Sequence, residues 1–147
     1  MNNSLKQILP QLFLRLALSL TFLSAVADRL GLLGKSAVWG NWENFVTYTK
    51  QITSFLPESL SDLGAYIATF LEILFAVFLI LGFKTKVIAF AAGSLLTLFA
   101  LSMSLTIGIK ATFDYSVWVG SAAAFLLSVQ NIFPFSIDNQ FINHKNN

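Results

Sequence analysis

The sequence predicts an all-α membrane protein, a bundle of four transmembrane helices with a short amphipathic helix between the first and second spans. Hydrophobic residues make up 56% of the 147 residues and charged residues only 11%, against about 25% charged in soluble domains. Four apolar stretches are each long enough to cross about 30 Å of hydrocarbon as a helix. No stretch shows the alternation of a membrane barrel strand. We therefore treat residues 1–147 as a single membrane domain.

The four apolar stretches predict spans over residues 8–27, 63–83, 87–109 and 117–133. Backbone groups in lipid have to be hydrogen-bonded within the segment, which favours a helix for each stretch. The first stretch has a second interpretation, a cleavable signal peptide that ends in the small residues at 25–27. Arg15 lies inside its apolar run and argues against cleavage.

The connection between the first two spans is rich in aromatic residues. Its apolar residues follow the 3.6-residue period, which predicts an amphipathic helix over 41–55 that lies along the membrane interface or caps the bundle. The alternative is an ordered loop. Trp39, Trp42 and Tyr48 are the candidate interfacial aromatics, since such residues anchor at the membrane surface more often than they stack on a ligand.

The turn Lys84-Thr85-Lys86 is short, so it predicts that the second and third spans are antiparallel neighbours. Two lysines in so short a loop favour the cytoplasmic side. Both termini are then predicted inside and the aromatic connection outside. Residues 134–147 are predicted to form a polar tail that frays, and they hold the only histidine, His144.

Charged residues inside a membrane helix are costly and usually face the bundle interior. The helical period places six residues of the first span on one inward face: Gln11, Arg15, Ser19, Phe22, Val26 and Arg29. The second span has an inward face of small residues that includes a glutamate: Ser61, Ala65, Ala68, Glu72 and Ala76. The predicted inward residues of the third and fourth spans are Ser94, Thr97, Leu101 and Ser104, and Asp114, Ser121 and Ser128.

Depth along the spans predicts an ion pair between Arg15 and Glu72 in a polar bundle core that includes Ser19. Arg29 and Asp114 are a second candidate pair at the outer end, where Asp28 competes for Arg29. Either pair has two interpretations, a clasp that fixes helix register or a polar pocket that binds a head group, a quinone or a proton. No catalytic residue is identified. No metal site is predicted, because the chain has no cysteine and one histidine.

Two segments resemble the DoxX/DoxD family of small bacterial membrane proteins. They are Arg15-Leu-Ala-Leu-Ser-Leu-Thr-Phe22, continuing to Arg29-Leu-Gly31, and Glu72-Ile-Leu-Phe-Ala-Val-Phe-Leu-Ile-Leu-Gly82-Phe-Lys84-Thr-Lys86. The resemblance extends from about Leu12 to Gln130, with Ser19 where a glycine is usual and Arg29 in the position of a lysine. It implies a four-helix fold in the bacterial inner membrane. Some members of the family are subunits of a thiosulfate:quinone oxidoreductase, and others associate with redox-protective enzymes.

Three functions follow as hypotheses. The first is a membrane subunit of a redox complex linked to quinone, in which Arg15 donates a hydrogen bond to the quinone. The second is a non-enzymatic anchoring, assembly or chaperone-like protein, and the third is a small transporter that acts as an oligomer. The expected partners are the lipid bilayer, another membrane or redox protein and a second copy of the chain. Nucleic acid is not expected, since no basic run is present. No covalently bound cofactor is expected, and whether the protein is an enzyme stays open.

Overall fold

The computed structural model describes the backbone of residues 3–139 and the side chains of residues 8–139. This part of the chain is helical and contains no strand. Its helices are α1 (Asn3–Arg29), α2 (Trp42–Ile52), α3 (Glu58–Leu81), α4 (Thr85–Thr106), α5 (Ile109–Asp114) and α6 (Val117–Ser128), with one 3-10 turn at Gly34–Ser36.

Three helices are long and apolar enough to cross a membrane. They comprise Ile8–Arg29 of α1, all of α3 and all of α4, at 22, 24 and 22 residues. Three of the four predicted spans therefore coincide with helices of spanning length. The fourth, 117–133, contains the 12-residue helix α6, which is only about 18 Å long. A non-helical segment follows α6.

The α3–α4 turn is as tight as the sequence predicts. Gly82 ends α3 with φ +66°, and Lys84 precedes α4 with φ +47°. A Cβ atom on Gly82 would collide with Ser136 and lie 2.9 Å from Arg15 Nη1. Glycine is therefore required here both for the left-handed backbone and for close packing.

Helix α2 occupies residues 42–52 within the predicted range 41–55. It begins where the Asn41 side chain accepts a hydrogen bond from the backbone N–H of Asn44 at 2.8 Å, an N-cap that satisfies one of the free donors of the first turn. Its buried residues Phe45, Thr49 and Ile52 face the bundle. Its position relative to a membrane surface stays a prediction.

The inward faces predicted for α1 and α3 are correct. All six residues of the α1 face and all five of the α3 face are buried. On α6, Ser121 is buried and Ser128 is half-buried, whereas Asp114 lies in α5 and is exposed.

The face predicted for α4 is correct at Thr97, whose Oγ1 lies 2.7 Å from Ser121 Oγ on α6, and wrong at Leu101. Leu101 is 47% exposed, and the buried face instead carries small residues such as Ala92, Gly93 and Ala100. Small residues allow α6 to approach closely: the ring of Phe125 would lie 3.0 Å from a Cβ on Gly93. The hydroxyls of Ser94 and Ser104 do not require the core, because each donates to a carbonyl one turn earlier in its own helix.

The two ends of the bundle differ. We call the end that carries residues 30–57 the lid end, and the end that carries residues 82–84 the turn end. Residues 129–139 return to the turn end, where the Asp138 carboxylate accepts from the backbone N–H groups of Lys84 and Thr85, each at 2.7 Å. The Asp138 N–H donates to the Gly82 carbonyl at 3.0 Å. The prediction that the tail frays from residue 134 is therefore wrong for 134–138, and His144 lies outside the described residues.

Candidate functional site

The buried ion pair of the bundle joins Arg29 to Glu72. Arg29 Nη1 lies 2.8 Å from Glu72 Oε2, and both side chains are almost fully buried. The same nitrogen donates to Thr69 Oγ1 at 2.7 Å, and Arg29 Nε donates to the Ala25 carbonyl at 3.1 Å. The predicted ion pair between Arg15 and Glu72 is therefore wrong.

The prediction failed because it placed Arg15 at the wrong depth relative to Glu72. The sequence argument measured depth from assumed span limits, but α1 is displaced along α3 relative to those limits. Arg15 lies at the turn end, where its Nη1 is close to Gly82. Arg29 is about 21 Å farther along the axis of α1, so that it, and not Arg15, reaches Glu72.

Aromatic rings cover the Arg29 guanidinium from the lid end. The Phe45 ring centroid lies 3.8 Å from Arg29 Cζ, and the Trp39 centroid lies 5.5 Å from it. Trp39 and Phe45 also contact each other edge to face at 5.1 Å. An arginine over an aromatic face gains electrostatic attraction, more so where water is excluded. We call Trp39, Phe45 and helix α2 the aromatic lid.

Asp28 fastens this lid. Its Oδ2 accepts from the Val38 N–H at 2.7 Å, and its Oδ1 accepts from the N–H groups of Trp39 and Gly40 at 2.9 Å each. Asp28 is buried, so these charge-assisted bonds hold the backbone of the lid against the end of α1. Glu72, rather than Asp28, is therefore the direct ion-pair partner of Arg29.

The predicted pair between Arg29 and Asp114 is also wrong. Asp114 ends the short helix α5 and pairs with Lys110 one turn earlier, at 2.6 Å. Both side chains are more than half exposed. The sequence placed Asp114 on the inward face of a continuous fourth span, whereas residues 115 and 116 interrupt the helix.

The remaining interfacial candidates pack around the lid. Trp42 stacks obliquely on Tyr66 at 4.7 Å, and Tyr48 lies 5.6 Å from Trp39. Burial raises the pKa of Tyr48 above its usual range, and Tyr115 adds to the shift. The aromatic residues thus contact each other and the bundle, and their anchoring in a membrane surface stays a prediction.

Arg15 binds backbone carbonyls instead of a carboxylate. Its Nη1 donates to the Pro134 carbonyl at 3.2 Å and its Nη2 donates to the Phe135 carbonyl at 2.9 Å. Arg15 is 1% exposed. The chain is not helical here, and backbone that leaves a helix away from water requires such donors. Ser19 is also buried, and its hydroxyl donates to the Arg15 carbonyl one turn earlier in α1 at 2.8 Å.

Sequence reasoning missed two members of the Arg29 cluster, Thr69 and Phe45. Thr69 had a signal, since it lies three residues before Glu72 and so on a neighbouring part of the same helix face. Phe45 was part of the amphipathic pattern, but no pattern indicates which buried group an aromatic ring will cover. The described residues contain no group of His, Cys, Asp and Glu that could hold a metal ion.

Long apolar helices that enclose buried arginines define the chain as an integral membrane protein. The family model DoxX matches residues 11–105. The chain belongs to the DoxX family, as the resemblance of its first two spans predicts. No curated protein matches the sequence, and no solved structure matches the fold.

Proposed function

We propose that the protein is a membrane subunit of a redox complex and that it binds a quinone head group at the Arg29–Glu72 pair. The observation that carries the proposal is the aromatic ring of Phe45, centred 3.8 Å from the Arg29 guanidinium within the apolar bundle. A planar ring already lies on this cation, and the head group of a quinone is a planar ring with two carbonyl acceptors.

The residues present fit such a ring in two respects. Arg29 supplies N–H donors, which a carbonyl requires. Glu72 Oε2 is buried and lies 2.8 Å from Arg29 Nη1, and a carboxylate oxygen can accept more than one hydrogen bond. This oxygen would accept a hydrogen bond from a quinol hydroxyl. A bound quinone supplies two-electron redox chemistry, and the electrons would come from a partner protein.

The aromatic lid would have to move for a ring to enter. Phe45 occupies the required position, so the ligand would replace it on the guanidinium. The polar contacts of the lid are the Asp28 bonds and the pairing of Lys50 with Glu58 and Asp62 on α3, and its buried residues also pack on the bundle. Contacts of this kind can break and reform without unfolding the membrane helices.

The test is the binding of a short-chain ubiquinone analogue to the purified protein in lipid nanodiscs, measured by calorimetry and by quenching of tryptophan fluorescence. We expect Arg29→Lys to weaken binding at least tenfold, because it loses the planar face and fork of donors. Phe45→Leu should strengthen binding, since the competing ring is gone. Arg15→Lys is the matched control at the turn end and should leave the affinity unchanged.

Two results would contradict this assignment. One is the absence of binding to both the wild type and Phe45→Leu. The other is an equal loss in Arg15→Lys and Arg29→Lys, which would indicate a general loss of packing. Quinone-independent co-purification of a partner protein that is lost in a lid variant would instead support the anchoring or assembly function.

We further propose that the chain crosses a bacterial inner membrane four times, with both termini and the turn end in the cytoplasm. The support for the fourth crossing is the path of residues 117–138. Ser121 Oγ donates to the Gly93 carbonyl in the middle of α4, and Asp138 binds the first residues of α4. Lys84 and Lys86 at the turn end support the cytoplasmic side. In this orientation the lid end and its aromatic residues face the periplasm.

A further inference from the structure

Three buried polar side chains at the turn end have atoms with no hydrogen-bond partner among the described residues. They are both amide atoms of Gln11, Nε of Arg15 and Oγ1 of Thr85. Gln11 is 8% exposed, Arg15 1% and Thr85 0%. An unpaired buried amide or hydroxyl is destabilising, so several such atoms in one region require an explanation.

These groups lie in one region. Gln11 and Arg15 are one turn apart on the same buried face of α1. Arg15 approaches Gly82, and Thr85 follows three residues later at the start of α4, where its N–H binds Asp138. The Pro134 and Phe135 carbonyls bind the two terminal nitrogens of Arg15, and Nε is the guanidinium nitrogen without a partner among the described residues.

An open groove of about 480 Å³ adjoins this region. Its wall is largely apolar and consists of Ile8, Leu81, Pro134, Phe135, Ser136, Ile137 and Asn139. Ile8 precedes Gln11 by one turn on α1, and Pro134 and Phe135 are the residues whose carbonyls Arg15 binds. The groove therefore provides an apolar surface next to the segment that Arg15 binds.

The charge at this end favours an anion. Arg15 is buried with no carboxylate in salt-bridge contact among the described residues. Lys84 and Lys86 are exposed at the same end of the bundle. The acidic group that faces this region is Asp138, and its two oxygens accept from the N–H groups of Lys84 and Thr85. The unpaired atoms include donors and the acceptor Gln11 Oε1, so the complementary ligand combines an anionic acceptor with a hydroxyl donor.

We propose that the turn end binds an anionic phospholipid with a hydroxylated head group. Gln11 Nε2, Arg15 Nε and Thr85 Oγ1 bind the phosphate region, Gln11 Oε1 accepts from a head-group hydroxyl, and one acyl chain lies in the groove. The site is distinct from the Arg29–Glu72 pair at the lid end. In the four-crossing topology proposed above, the turn end would lie at the depth of the phosphate head groups.

The experiment compares nanodiscs of phosphatidylglycerol with nanodiscs of phosphatidylcholine, and detergent micelles with and without inorganic phosphate. Retained lipid is measured by native mass spectrometry, and stability by thermal unfolding. We expect the wild type to retain phosphatidylglycerol and to gain stability in it. Gln11→Leu and Thr85→Val should each weaken retention about tenfold. The matched control is Gln130→Leu, which removes a glutamine whose Nε2 donates to the Leu126 carbonyl at the same end and should retain lipid as the wild type does.

A second readout separates the site from a general effect on folding. In lipid-free detergent, Gln11→Leu should be as stable as the wild type or more so, because it removes an unpaired buried amide. In phosphatidylglycerol the wild type should become the more stable of the two. Equal stabilisation by both lipids, stabilisation by inorganic phosphate alone, or undiminished retention by Gln11→Leu would each overturn the proposal in favour of internal water or a free anion.

Discussion

Arg29 and Glu72 show what a buried charge contributes in this bundle. Taking both out of water is costly, and their attraction and the Thr69 bond offset that cost. Removing one partner is a different matter, since it leaves the other charged or forces it to become neutral. Substitutions of these two residues can therefore measure directly how strongly Arg29 and Glu72 interact.

We predict strong energetic coupling between Arg29 and Glu72 and little between Arg15 and Glu72. Arg29→Met should cost about 3–5 kcal/mol of unfolding free energy, because Glu72 stays buried without its cation. Adding Glu72→Leu should recover much of that loss. A double-mutant cycle by denaturant unfolding in micelles measures the coupling. Arg15→Met combined with Glu72→Leu is the control cycle, and its two effects should add. A coupling energy in the control cycle as large as in the first would instead support the ion pair between Arg15 and Glu72 that the sequence predicts.

At the scale of elements, the sequence predicted the faces of α1 and α3 and failed on α4 for one physical reason. On α1 and α3 the inward face differs in chemistry from the rest, since arginines, a glutamate and small residues stand out against leucine and phenylalanine. Helix α4 lacks that contrast. The hydroxyls of Ser94 and Ser104 bond within the helix, so their positions carry no information about the core.

The attachment of residues 134–138 to the α3–α4 turn can be tested at Gly82. We predict that Gly82→Ala destabilises the protein by about 1–2 kcal/mol from its left-handed backbone, and further because the new Cβ meets Ser136 and Arg15. Gly34→Ala is the matched control: Gly34 has φ +54° and no atom within 4 Å of its Cβ position. It should show the backbone cost alone in thermal unfolding. Equal losses in both variants would mean that the C-terminal segment does not pack on the turn.

The attachment of the lid should depend on pH through Lys50. Its Nζ lies 3.2 Å from Asp62 Oδ1 and 3.3 Å from Glu58 Oε2, and hydrogen bonds to Asp62 and then Glu58 raise the pKa of Lys50 above its ordinary value. A raised pKa means that the contribution to stability is complete below the unfolded pKa of about 10.4 and disappears as pH rises through the folded value.

We therefore predict that tryptophan quenching by an aqueous quencher increases above about pH 10.4 in the wild type as the lid loosens. Lys50→Gln should already show the increased quenching at neutral pH, and Lys50→Arg should retain the lid to higher pH. The ionisation of tyrosines is common to all three proteins and does not affect the comparison. Identical pH profiles for the wild type and Lys50→Gln would exclude this attachment.

At the scale of the molecule, the class of fold followed from composition and from apolar length, whereas the contacts of Arg15 did not. A backbone carbonyl has no signature in a sequence, so nothing indicated that Arg15 would bind residues 134 and 135. Helix α6 ends after 12 residues, and the chain that follows has carbonyls that no helix satisfies. Arg15 donates hydrogen bonds to two of these carbonyls. A short helix followed by an irregular segment can therefore reach the turn end.

That path makes a prediction about topology. The chain has no cysteine, so single cysteines can be introduced at exposed positions and labelled with a membrane-impermeant maleimide on intact spheroplasts. Ser36 and Lys110 mark the lid end, and Lys84 and Asn131 mark the turn end. With four crossings, Ser36→Cys and Lys110→Cys label from outside, while Lys84→Cys and Asn131→Cys label only after permeabilisation. If the chain crossed only three times, Asn131→Cys would label from the same side as Lys110→Cys. That outcome would also contradict the hydrogen bond from Lys86 Nζ to Asn131 Oδ1, which places Asn131 at the turn end.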